Sequence, residues 1–229
     1  DDLTSKNGCF NINLNNNITL LLSIVKNIFN MHNKFYFTND DEIINSMKKL
    51  KKINEISYYK QLINERFEIF LNKNSRFLSI KEKNIFKKIY NNFDDIINMA
   101  SKFPLSFCHG DLKSPNIFYE NNETPYFLDW QYVHLNKGIS DIVFLLVESI
   151  EFDEKISDLV LNYYFKLMNE KRKKISFDMF KKDFINALCI FPFFVIVWFN
   201  SENQDKLIDK TFPIKFMRNV LKYYKYYLT

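Results

Sequence analysis

From Ile18 onward, apolar side chains return at helical intervals: Leu21, Ile24, Val25, Ile28 and Phe29 mark one face, and His32 continues it one turn on. That spacing predicts an amphipathic helix with this face buried. On such a stripe His32 reads as a satisfied core histidine rather than a ligand. Asp40 stands as the N-cap of a helix through Ile43, Met47 and Leu50. A second helical stretch covers residues 58–71, with Leu62, Phe67 and Phe70 inward, and Ser79 caps a third whose Ile85, Ile89, Phe93, Ile96 and Ile97 run on toward Pro104. After Pro104 the period shortens. Residues 105–108, 117–119 and 126–128 are short apolar or aromatic runs, and residues 121–125 supply turn chemistry between the last two, giving strand, loop, strand, turn, strand. Helical spacing resumes at residues 140–149 and again at 153–169, where Ile156, Leu159, Val160, Tyr163 and Leu167 form the stripe. A further helix runs from Phe177 through the apolar run 187–199, and the last has Met217, Val220, Leu221 and Tyr224 facing in. The pattern is mainly α with a small β-hairpin insertion, the proportions of a helical lobe rather than of a doubly wound sheet. Residues 1–17, polar and without a clear period, read as a linker.

Composition narrows the possibilities. At 229 residues, 47% hydrophobic and 26% charged, the chain can bury a sizeable core and is not of disordered type. Its net charge of +5 is mixed along the chain, and the densest basic tracts, residues 48–52 and 171–174, read as solvated helix flanks and a loop, so nucleic acid is not an expected partner. Cys9, Cys108 and Cys189 are odd in number and far apart, which suggests neither a disulfide framework nor a zinc site and fits a reducing, cytoplasmic compartment. The run 187–199 contains Pro192 and falls short of the ~20 residues of a membrane span, so it reads as a buried helix and no membrane is expected. With only Gly8, Gly110 and Gly138 present, no Gly-rich phosphate loop can form within this sequence.

The chemistry is concentrated at residues 105–131, LSFCHGDLKSPNIFYENNETPYFLDWQ. Transfer of a phosphoryl group to a hydroxyl asks a protein to position the nucleotide, neutralise its phosphates with metal and accept the proton of the attacking hydroxyl. Asp111 suits the last task. Asn116 and Asp129 offer the hard oxygen ligands that Mg²⁺ prefers, leaving its other positions to water and phosphate. His109, Asp111 and Asn116 form the H-x-D-x-x-x-x-N spacing of a kinase catalytic loop, and Asp129 follows where the second magnesium carboxylate is expected. The competing reading makes His109 and Asp111 the shapers of a surface turn and Asp129 the cap of a strand end.

HGDLKSPNIF followed by FLDWQ resembles the aminoglycoside phosphotransferase and choline kinase superfamily of small-molecule kinases, and the Asp-Trp-Gln ending is most similar to its ecdysteroid-kinase-like branch. Asp1, Asp2 and Leu3 resemble that superfamily's acidic segment after the interlobe hinge, the helix ending at His32 resembles its first C-lobe helix, and Gly138 to Asp141 its Gly then Asp after the metal loop. The resemblance implies the C-terminal lobe of a protein-kinase-like fold, with residues 1–17 as post-hinge linker and 18–229 as the helical lobe. It implies ATP and Mg²⁺ as cofactors, Asp111 as catalytic base, and Asn116 and Asp129 as magnesium ligands. By the same resemblance His109 organises the loop and Asp141 braces it, while Lys113 is either an electrostatic helper near the transferred phosphate or a solvated side chain. A protein kinase proper fits less well, because Gly110 replaces its Arg, Trp130 and Gln131 replace Phe-Gly, and no Ala-Pro-Glu follows. Choline kinases proper usually carry Asn at the Gly110 position.

In that superfamily an N-terminal lobe supplies the strand lysine and the loop over the phosphates, and it is expected upstream. The leading expectation is therefore a kinase for a hydroxyl on a small molecule. A non-catalytic, pseudokinase-like binding module without a working N-lobe is the alternative. For the substrate, Glu148, Glu151, Asp153 and Glu154 form either an acidic rim for a cation or an exposed turn. Phe191, Phe193, Phe194 and Trp198 line either an apolar pocket or the core.

Overall fold

The computed structural model describes residue 3 and residues 6–35, 38–121, 123–171, 175–202 and 209–228. Asp1 and Asp2 of the post-hinge segment and residues 172–174 of the second basic tract lie outside the described residues. The helices are α1 (Ile18–Phe35), α2 (Asp41–Met47), α3 (Ser57–Lys73), α4 (Ile80–Asn91), α5 (Phe93–Ala100), α6 (Ile139–Ser149), α7 (Glu154–Lys171), α8 (Phe177–Leu188), α9 (Phe191–Ser201) and α10 (Phe212–Tyr227). Between them lie the strands β1 (Gly8–Cys9), β2 (Ser106–Cys108), β3 (Ile117–Glu120), β4 (Thr124–Phe127) and β5 (His134–Asn136).

Every apolar residue of the first stripe is buried in α1, together with His32. The caps also form where their side chains demand: Asp40 Oδ1 accepts the Glu42 and Ile43 N–H groups, and Ser79 with Glu82 closes a capping box on α4. The Glu82 carboxylate also accepts Lys225 Nζ at 2.9 Å, tying α4 to α10. Aromatic rings fill the space between α3, α4 and α9, with Phe67 stacked on Tyr90 at 4.2 Å and Phe193 against Phe67, Phe86 and Phe93.

Several expectations are corrected. The third helical stretch breaks at Asn92, whose side chain caps the carbonyl of Lys88 and leaves α4 and α5 as separate helices. Residues 177–199 are likewise two helices, turned at Cys189–Ile190 ahead of Pro192. By length and composition Phe177–Ser201 could cross a bilayer, but 72% of its most apolar window is buried within the fold. On α7 only Leu159 leaves the expected stripe, at 43% exposed: Val160 is buried and Ile156, Tyr163 and Leu167 pack against the core, while Leu161, Tyr164 and Met168 widen the buried face, the Tyr164 hydroxyl reaching His32. The linker is partly structured: Gly8 and Cys9 pair with Glu120 and Tyr119, and Leu14 is fully buried.

The β content forms two sheets rather than one run of strands. β3 and β4 are a hairpin with Ile117 opposite Phe127 and Glu120 opposite Thr124, so Thr124 and Pro125 belong to an edge strand and not to the turn. β2 pairs instead with β5, Cys108 opposite His134. One sheet thus delivers the chain into residue 109, and the other receives it after residue 116.

Gly138 sits where α6 begins, against two buried polar side chains. A Cβ there would lie 2.6 Å from Tyr164 Oη and 2.7 Å from His32 Nδ1. Gly138→Ala should therefore cost about 1–3 kcal/mol through overpacking, read as a lower urea midpoint at unchanged slope. A midpoint equal to that of the parent would refute the close approach.

Candidate active site

A fully buried carboxylate anchors the loop after β2. Asp141, in the first turn of α6, accepts the His109 N–H at Oδ2 (2.8 Å) and the Gly110 N–H at Oδ1 (2.9 Å). Oδ2 also takes the His32 Nε2 proton at 3.0 Å, while the Tyr164 hydroxyl meets His32 Nδ1 at 2.8 Å. Burial alone would push the Asp141 carboxyl up, yet the bonds from His32, Gly110 and His109 together hold it below the ordinary carboxylate value. His32 is thus a satisfied core histidine, and Asp141 braces the loop. Gly110 adopts φ +85°, and a Cβ there would fall 2.3 Å from the Tyr132 carbonyl, which is why no side chain stands at this position.

Beyond the brace, each loop residue is held by its neighbours. His109 Nε2 donates to the Leu128 carbonyl at 2.8 Å and Nδ1 accepts the Asp111 N–H at 3.3 Å, so both ring nitrogens are engaged in holding the chain. The Trp130 indole packs on this imidazole at 4.5 Å and donates to the Phe127 carbonyl at 2.9 Å. Asn116 links the other members. Its Nδ2 donates to the Asp111 carbonyl (2.9 Å) and to Asp111 Oδ2 (3.2 Å), and its own carbonyl accepts the Leu128 N–H, one residue before Asp129. Asp129 lies at φ +63° on the exposed rim, its Oδ2 accepting from Gln131 at 3.2 Å. Lys113 Nζ lies 2.9 Å from Asp111 Oδ2, with its side chain 30% exposed.

His109, Asp111, Lys113 and Asn116 therefore meet at one place, and Asp129 follows directly on Leu128, which both His109 and Asn116 bind. Asp111 Oδ2 is shared by Asn116 and Lys113, whereas Oδ1 accepts no bond among the described residues. The Asn116 amide oxygen likewise carries no bond among them, and Asp129 pairs with no described cation. An amide oxygen and a carboxylate are donor types that fit Mg²⁺.

Other groups were not legible from the motif. Ser149, at the end of α6, accepts the Ser114 N–H at 2.6 Å and donates to Glu148 Oε2 at 2.7 Å. Burial pushes the Glu148 carboxyl up, and it feels Lys113 and Asp111. No local pattern marks this pair, because its partner lies 35 residues away. Phe193 and Phe194 are core residues, and Phe191 with Tyr59 borders a cavity of only about 20 Å³. His32, Cys108 and Asp141 bring ligand atoms within 4.8 Å of one another, but His32 and Asp141 already bond each other and the Ser140 hydroxyl donates to Cys108.

This arrangement is the fold of small-molecule kinases. Choline kinase LicA from Streptococcus pneumoniae superposes with a TM-score of 0.57 at 14% identity, over 97% of this chain and 68% of that one. The choline kinase of Cryptosporidium parvum Iowa II gives 0.61 at 13% identity, over 98% and 69%. Spectinomycin phosphotransferase APH(9)-Ia, solved with ADP and spectinomycin, gives 0.57 at 12% identity, over 95% and 64%. The chain thus spans about two thirds of the length of these structures. It belongs to the ecdysteroid kinase-like family, whose sequence model matches residues 25–177. No curated protein sequence matches it.

Because the Asp141 carboxyl is held below its unfolded value, its contribution is present above about pH 4 and is lost as pH falls further. Asp141→Asn should cost about 3–5 kcal/mol at neutral pH by breaking a buried charged cluster. The gap to the parent should then close as urea unfolding is repeated from pH 7 toward pH 3. A gap independent of pH would refute the charged brace.

Proposed function

We propose that this chain is the catalytic-loop lobe of an ATP- and Mg²⁺-dependent kinase that phosphorylates a hydroxyl on a small molecule. The observation that carries this reading is the state of Asp111: one oxygen is fixed by Asn116 and Lys113, and the other is left for a proton. Asp111 Oδ1 accepts the hydroxyl proton as the oxygen attacks the γ-phosphorus of ATP and the bond to the departing ADP oxygen breaks. Lys113, beside the same carboxylate, places a positive charge next to the reacting oxygens. Asn116 and Asp129 would hold the magnesium, which would supply charge neutralisation for the nucleotide phosphates. His109 takes no part in proton transfer and sets the loop.

The nucleotide complex of a structural neighbour, LicA with AMP, supports ATP as the donor. The same reading calls for a strand lysine and a phosphate-covering loop from an N-terminal lobe. A reducing, cytosolic setting is part of the same reading, with Cys108 and Cys189 as buried thiols.

In the full-length protein, Asp111→Asn should lower phosphoryl transfer by about 10²–10⁴-fold while Mg²⁺–ATP still raises thermal stability. Turnover within a few-fold of the parent would overturn the assignment of the base. Asp129→Asn should raise the Mg²⁺ concentration at which ATP stabilises the protein; an unchanged titration would remove Asp129 from the metal site.

A further inference from the structure

Resting on that reading, we infer that Ser149 is a positioning residue for phosphoryl transfer: it pins the far end of the catalytic loop, so that Lys113 and Asn116 stand where Asp111 requires them.

The need for a pin arises at Lys113. Ser114–Asn116 form a single 3₁₀ turn, with Lys113 in the capping position. Such a turn opens on a backbone N–H without a partner inside it, which a Ser, Thr, Asp or Asn at the cap ordinarily accepts. A lysine side chain has donors only. Here it caps nothing and goes instead to Asp111, at 2.9 Å. Pro115 brings no N–H, and that of Asn116 closes the turn on the Lys113 carbonyl at 2.9 Å. The Ser114 N–H is therefore left over in a buried place, and its acceptor is Ser149 Oγ at 2.6 Å, 35 residues on.

The serine hydroxyl is aimed. Its proton goes to Glu148 Oε2 at 2.7 Å, which turns a lone pair toward Ser114. Of the four acids after the metal loop, the other three are engaged elsewhere. Glu151 pairs with Lys222 at 2.9 Å, Glu154 accepts the Tyr226 hydroxyl at 2.9 Å, and Asp153 caps α7 by accepting the Ile156 N–H at 3.0 Å.

One helix thus holds the loop at both ends. Asp141 in the first turn of α6 fixes His109 and Gly110, and Ser149 in its last turn fixes Ser114. At about 1.5 Å of rise per residue, the two pins lie roughly 12 Å apart. The helix between them is buried along its interior, and Leu112, between the pinned residues of the loop, is fully buried as well. Asp111 adjoins the first pin, whereas Lys113 and Asn116 flank the second. Both reach Asp111 Oδ2, so releasing Ser114 moves two partners of the base at once. A misplacement of about 1 Å from a change outside the reacting groups can cost about 10²-fold in rate.

Ser149→Ala removes the acceptor and Ser149→Thr keeps a hydroxyl. In the full-length Ala variant, amide exchange over residues 112–118 should be at least about tenfold faster, the factor that loss of one ordinary hydrogen bond brings, with α6 as protected as in the parent. Hydrolysis of Mg²⁺–ATP to ADP and phosphate, with water as the acceptor, should fall about 10–10²-fold, and the Mg²⁺ midpoint for thermal stabilisation by ATP should rise severalfold. The Thr variant should recover most of each change. Faster exchange with hydrolysis and Mg²⁺ midpoint unaltered would make Ser149 a structural cap and overturn the positioning role, as would equal losses in the two variants. If Mg²⁺–ATP neither stabilises the parent nor is hydrolysed by it, the kinase reading falls and exchange alone decides: acceleration confined to residues 112–118 upholds the pin, and unchanged exchange overturns it.

Discussion

One carboxylate, Asp141, holds together parts of the chain that no local interaction could join. It receives a ring proton from α1 and two backbone protons from the loop after β2, all within the first turn of α6. Neither loop N–H has another partner among the described residues, and a buried donor without one costs about 1–3 kcal/mol. The loop therefore has one satisfactory position, and it is set by a helix whose interior side chains are almost all buried.

From that position the rest of the site follows by short steps. His109 is fixed to the Leu128 carbonyl, so the chain before Asp129 is tied to the chain before Asp111. Asn116 repeats the tie from the other side, reaching Asp111 with its side chain and Leu128 with its carbonyl. The chain at Asp111 and the chain just before Asp129 are thus held by the same two residues. This is preorganisation by crossed bonds, and it explains why two loops, each with one residue at positive φ, can hold a defined geometry.

Much of this could be read from the linear pattern, for identifiable reasons. The caps at Asp40 and Ser79 and the stripe of α1 are local properties, and they form as the spacing requires. The cluster of Asp111, Asn116 and Asp129 was legible because its members sit on one loop and one hairpin. What escaped depends on distant partners. β5 reads HLN, with one apolar residue, and becomes a strand only because β2 offers its edge. The face of α7 is wider than its stripe because it also takes in Tyr164, which meets a histidine 132 residues away. The ion pair of Lys113 with Asp111 and the Ser149 bond to the loop are likewise facts of tertiary packing, which spacing alone does not encode.

The contact between Gly110 and Tyr132 has a further consequence. Protein kinases keep a long segment after the metal-binding aspartate that swings between ordered and disordered positions and so switches the enzyme. Here the chain from residue 130 to residue 138 lies directly on the loop that carries Asp111, with Tyr132 against Gly110 and His134 to Asn136 zipped to β2. Three of those nine residues are paired to β2, so far less chain is left to reorder than such a segment has, and the strand that feeds the catalytic loop is also the one that receives the chain after the metal loop.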